Sequence, residues 1–90
     1  MKIQERMYVL DIIERIIRLQ EHAKNGEYFS ADYIGAVDCL TYNKHVEEKE
    51  DHTGGLITEC FMTVYPGRDY GDTIDDLKAE IRKEEIEHDL

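Results

Sequence analysis

Apolar positions in the first quarter of the chain recur at three- and four-residue spacings, which predicts a helix over residues 3–24. The apolar side chains cover about 200° of the helical wheel, whereas a helix with one buried side needs a stripe only about 100° wide or a little more. The helix is therefore expected to be covered by its own domain on one side and by a second copy or a partner on the other. A helix wrapped entirely by its own chain is the alternative. The predicted oligomer interface consists of Val9, Ile12, Ile13, Ile16, Ile17 and Leu19.

Residues 56–65 alternate between two apolar-rich faces, a pattern typical of a half-buried strand. A strand needs a neighbour to be stable, and the nearest candidate is the segment 33–46. We therefore predict an antiparallel β-hairpin with a long charged tip. A helix over residues 31–50 is the alternative, although Gly35 in its interior would cost about 1 kcal/mol relative to alanine.

The last quarter of the chain predicts a turn followed by a second helix. Tyr65-Pro66-Gly67 has the composition of a turn. Thr73 and Asp76 have the spacing of a capping box, so a helix is expected from about residue 74 to 88. The predicted fold class is α+β, with a long N-terminal helix, an antiparallel hairpin and an acidic C-terminal helix. Residues 1–90 are expected to form one domain, in which the apolar helix over 1–26 is attached to an acidic body over 27–90.

Charge is distributed unevenly along this chain, whose formal net charge is −10. Residues 1–26 carry 4 acidic and 5 basic side chains, while residues 27–90 carry 17 acidic and 6 basic ones. Such an excess repels itself in the compact state, which favours a basic partner. Acidic residues in the last turn of a helix also oppose its dipole. The predicted partner-binding surface consists of Glu47, Glu48, Glu50, Asp51, Asp72, Asp75, Asp76, Glu80, Glu84, Glu85 and Glu87.

In size, acidity and its two dense acidic runs, residues 47–51 and 84–89, the chain resembles small acidic inhibitors encoded by bacteriophages, many of which mimic DNA. This resemblance implies a protein that occupies the nucleic-acid-binding surface of a basic host protein. Targets within that class include HU-type nucleoid proteins, RNA polymerase, DNA repair enzymes and defence nucleases. It also implies a location in the host cytoplasm.

Motifs for catalysis are missing from the sequence, which predicts a protein that is not an enzyme and needs no cofactor. There is no glycine-rich phosphate loop, and neither Cys39 nor Cys60 has a neighbouring base that would activate it. No metal site is predicted, since Glu85 and His88 supply only half of a di-iron motif and are expected at a solvated helix end. Direct nucleic-acid binding and membrane insertion are not expected of this chain. The alternative function is a structural or regulatory oligomerisation module with a solvated acidic surface.

Overall fold

A computed structural model describes residues 2–48, 55–68 and 70–90 of the chain. It has the α+β architecture that the sequence predicts. The elements run, in order, α1 (Ile3–Glu21), β1 (Glu27–Ile34), β2 (Cys39–Glu47), β3 (Leu56–Val64) and α2 (Ile74–Glu87). Neither of these two helices is both long enough and apolar enough to cross a membrane.

The three strands form one antiparallel sheet with β2 at its centre. The predicted hairpin between β2 and β3 is confirmed, with Leu40 opposite Val64. The sequence pattern predicts a single strand over residues 33–46, so β1 is not predicted as a separate strand. A turn over residues 35–38 divides that segment, and Asp38 adopts the left-handed conformation there (φ 49°). The alternative helix over 31–50 is wrong at the residues that the structure describes, since β1 and β2 occupy them.

Both helices pack against the same face of the sheet. The core between them takes apolar side chains from all five elements: Val9, Ile12, Ile16, Leu19, Phe29, Leu40, Tyr42, Val64, Leu77 and Ile81. Side chains alternate across a strand, so Leu40, Tyr42 and Lys44 of β2 point toward the helices together. A lysine therefore continues the row of buried core residues.

The structure corrects the interface predicted on α1. Val9, Ile12, Ile16 and Leu19 are buried in the core of their own domain, and they are unavailable to a second copy. Ile13 packs partly against the same core. Of the predicted interface residues, Ile17 alone lies on the exposed side. The inference that α1 has two apolar sides nevertheless holds, because a second row of apolar side chains is exposed opposite the core.

The second helix begins as the sequence predicts. The side chain of Thr73 accepts a hydrogen bond from the backbone N–H of Asp76, and the capping box is complete. Leu77 and Ile81 are fully buried, and the buried side of α2 continues with Glu84 and Glu85. Two carboxylates near the end of the helix are thus carried into the interior.

Candidate functional site

The most unusual group of side chains is a cluster of opposite charges between β1, β2, β3 and the end of α2. The ammonium group of Lys44 lies 2.9 Å from Glu84 Oε1, 3.3 Å from Glu59 Oε1 and 3.6 Å from Glu27 Oε2. We call these four residues and His88 the ion cluster. Burial would lower the pKa of Lys44, but its contacts with Glu84 and Glu59 raise it above its ordinary value. Lys44 is therefore the charged centre of the cluster.

A β-bulge brings one of these carboxylates to Lys44. Lys44 pairs with Cys60 and His45 pairs with Thr58, so Glu59 is the extra residue on β3. A bulge bends its strand and redirects the side chain of the extra residue. As a result, the half-exposed carboxylate of Glu59 reaches the buried ammonium.

His88 joins the end of α2 to the start of β1. Its Nδ1 lies 2.7 Å from the backbone carbonyl of Glu84, and its Nε2 lies 2.8 Å from Glu27 Oε1. Both neighbours are acceptors, so the ring satisfies both contacts only as an imidazolium that donates from each nitrogen. Burial opposes this charge, but the hydrogen bonds to Glu27 and Glu84 raise the pKa of His88 above its ordinary value. A positive charge at this end of α2 also complements the helix dipole.

The stability that His88 contributes should therefore depend on pH. Because its folded pKa is raised, the contribution is complete below the ordinary histidine pKa of 6.5 and is lost as the pH rises through the folded value. Urea unfolding of the wild type between about pH 6 and pH 9 should show this loss. His88→Gln should lack that part of the pH dependence, and equal slopes in the two proteins would contradict the assignment.

A second ion pair holds α2 against α1. Arg15 donates to Glu85 from Nε at 3.1 Å and from Nη2 at 2.7 Å, which is bidentate geometry. The hydrogen bond from Arg15 holds the pKa of Glu85 below its ordinary value. Both buried carboxylates of α2 thus have a cationic partner from another element.

Oxygen and nitrogen atoms of Glu27, Glu84 and His88 lie within 4.8 Å of one another, a spacing that could hold a metal ion. Glu84 Oε2 is also buried without a hydrogen bond among the described residues. However, the ammonium of Lys44 contacts both carboxylates and already supplies positive charge. A divalent cation would lie beside that ammonium and would require a neutral imidazole. The arrangement therefore favours a lysine and a protonated histidine as counter-ions over a metal.

The structure corrects part of the predicted partner-binding surface. Glu84 and Glu85 are buried, at 4 % and 5 % exposure, so they cannot offer free carboxylates to a partner. Their place near the end of α2 is explained by Lys44 and Arg15. Glu48 is partly buried. The predictions for Glu50 and Asp51 fall outside the described residues.

The remaining predicted carboxylates lie toward two ends of the sheet. Three carboxylates are here called the turn-side carboxylates: Asp72, which lies between β3 and α2, and Asp75 and Asp76 in the first turn of α2. The tip-side carboxylates are Glu47, the last residue of β2, and Glu87, the last residue of α2. Both lie near the start of β1, because Glu27 pairs with Val46 and contacts His88. Glu80 lies between the two groups, 4.0 Å from Lys83.

Five of these six carboxylates have no cationic partner in the part of the chain that the structure describes, Glu80 being the exception. Among the described residues, neither the turn-side nor the tip-side carboxylates form an ion pair. The buried pairs do not reduce the charge either, because Lys44 and Arg15 cancel Glu84 and Glu85. The formal charge of −10, which counts histidines as neutral, therefore remains on the other residues and is one unit less negative with His88 protonated.

Sequence reasoning missed Lys44 and Arg15 as ion-pair partners and placed His88 in solvent, although its side chain is 1 % exposed. Two features of the sequence indicated that Lys44 and His88 could be buried. Lys44 follows Leu40 and Tyr42 at two-residue spacing, and His88 continues the helical spacing of the buried side of α2. Nothing in one sequence, however, indicates that these two rows meet.

A comparison of the chain with protein-family models, curated proteins and solved structures found no match.

Proposed function

We propose that this protein is a non-enzymatic acidic binding protein that occupies the nucleic-acid-binding surface of a basic protein. The observation that carries the proposal is the large negative charge that remains after the buried ion pairs cancel. Unpaired carboxylates on a folded surface raise the rate of association with a basic protein by electrostatic steering. Such a protein would act as an inhibitor that mimics DNA.

The spacing of the exposed carboxylates supports this proposal. Asp75 and Glu87 are twelve residues apart on α2, which corresponds to about 18 Å along the helix axis. One DNA strand carries a phosphate about every 3.4 Å of axis, so this length spans about five nucleotides. Two of the three cations of α2 have other contacts: Lys78 lies over the ring of Tyr8 at 4.4 Å, and Arg82 donates to the backbone carbonyl of Leu90 at 3.1 Å. The third, Lys83, lies 4.0 Å from Glu80.

The test is capture of binding proteins from a bacterial lysate at about 50 mM and about 200 mM salt, with identification by mass spectrometry. We expect a DNA-binding protein, of the HU type or RNA polymerase, to be captured much more weakly at the higher salt concentration. In a second step, the protein should displace labelled duplex DNA from the captured protein. Captured proteins that bind no nucleic acid, or binding that does not change with salt, would contradict the proposal.

A pair of charge reversals locates the surface. Asp75→Lys together with Glu87→Lys should weaken displacement of DNA by about tenfold, equivalent to about 1.4 kcal/mol. The matched control reverses two other exposed acidic residues, Asp11 and Asp32, to lysine and so changes the net charge equally. An equal effect of both pairs would mean that net charge alone, and not this surface, determines binding.

A further inference from the structure

The exposed side of α1 carries a regular apolar row. Ile3, Met7, Leu10 and Ile17, which we call the outer stripe, are each more than half exposed. With Glu14 and Glu21 they recur at alternating spacings of four and three residues along the helix. That alternation is the spacing of coiled-coil residues that face a second helix, here with glutamate at two of the six positions. The stripe lies opposite the residues of α1 that enter the core.

We infer that the outer stripe joins two copies of this chain as an antiparallel pair of α1 helices. A row of large exposed apolar residues marks an interaction surface, because burying it removes apolar area from water. The occupant is identified by charge. Residues 27–90 carry 17 acidic and 6 basic side chains, so these regions of two copies repel each other. Residues 1–26 carry 4 acidic and 5 basic side chains and are nearly neutral. A second copy therefore approaches most favourably at α1.

Residue spacing is compatible with an antiparallel orientation. Leu10 lies midway between Ile3 and Ile17, seven residues from each. An antiparallel pair centred on Leu10 thus places Ile3 level with Ile17 of the second copy.

Two charges, Glu14 within this row and Arg6 beside it, favour the antiparallel orientation over a parallel one. Arg6 and Glu14 are each four residues from Leu10, so Arg6 comes level with Glu14 of the second copy. Glu14 is available for this contact, because its one ion pair among the described residues is an exposed contact with Arg18 at 3.6 Å. A parallel pair would instead place Arg6 beside Arg6 and Glu14 beside Glu14.

This pairing does not depend on the proposed function and leaves the described acidic surfaces free. The ion cluster lies between the sheet and the end of α2. The turn-side and tip-side carboxylates also belong to elements other than α1. A dimer would double the negative charge presented to a partner without bringing the acidic bodies face to face.

Sedimentation equilibrium of the full chain tests the inference. The wild type should be a dimer, and Leu10→Asp should raise the dissociation constant at least tenfold. The matched control is Phe61→Asp on the uncovered face of the sheet, since Phe61 is 61 % exposed and Leu10 is 59 % exposed. This control should remain a dimer. A monomeric wild type, or dissociation by Phe61→Asp and not by Leu10→Asp, would overturn the inference.

Exchanging the charges of Arg6 and Glu14 tests the antiparallel orientation of the two α1 helices. It also tests the pairing if both Leu10→Asp and Phe61→Asp cause dissociation. Arg6→Glu and Glu14→Arg should each weaken association, because each places like charges level with one another. The double variant restores opposite charges across the pair and should recover association. Failure to recover, with the fold intact by circular dichroism, would overturn the antiparallel pairing.

Discussion

Replacing Lys44 by methionine should destabilise the protein by about 3–5 kcal/mol, the cost of removing one partner of a buried ion pair. The loss arises because the buried carboxylate of Glu84 loses the ammonium 2.9 Å away, and no other lysine or arginine among the described residues contacts it. Urea unfolding at neutral pH measures the effect as a lower midpoint. A loss below about 1 kcal/mol, the value of a surface ion pair, would mean that the cluster is solvated.

A double variant separates the loss of a contact from the cost of an unpaired charge. Lys44→Met with Glu84→Leu removes both central charges and fills their space with apolar atoms. It should recover much of the stability, because a well-packed apolar replacement of a buried pair is often neutral or stabilising. Glu27 keeps its contact with His88, and Glu59 is half exposed, so neither carboxylate is left buried alone. A double variant no more stable than Lys44→Met would contradict this explanation.

Ile81→Ala should destabilise the protein by about 2–5 kcal/mol, because it removes buried methyl and methylene groups and leaves a cavity. Ile81 is fully buried and, with Leu77, anchors α2 to the core. The matched control is Ile86→Ala on the same helix, where the side chain is 61 % exposed. That change should alter the free energy of unfolding by about 0.5 kcal/mol or less. Equal effects of the two substitutions would mean that α2 does not pack as described.

These two predictions also bear on the candidate site. The position of α2 determines where Glu84 and Glu85 meet their cations, so loosening its apolar anchor should weaken both ion pairs. The unpaired carboxylates of the same helix depend on this anchor for their arrangement. The inner side of α2 stabilises the fold, and its outer side carries part of the proposed binding surface.

Much of the fold could be predicted from local patterns. The helical spacing of α1, the alternation in β3 and the capping box at Thr73 each depend on residues close together in the chain. The division of residues 27–47 into two strands was harder to predict. Its turn contains Gly35 but no Asn-Gly or Asp-Gly pair, which are the strongest hairpin signals.

The site was less predictable than the fold. Counting charges along the sequence showed the acidic excess, and the wheel of α1 showed an apolar arc too wide for one buried side. Neither observation distinguishes a carboxylate in solvent from one beside a cation, because Lys44 and Glu84 are forty residues apart in the chain.

The sequence by itself determined the two helices, the strand β3, the excess negative charge and the two apolar sides of α1, since each follows from composition and local periodicity. Only the tertiary structure decided which side of α1 enters the core and which acidic residues are buried. Both depend on how the helices cross the sheet, and that packing joins residues distant in sequence. It buries Glu84 and Glu85 beside Lys44 and Arg15, and it leaves the outer stripe and the other acidic groups exposed.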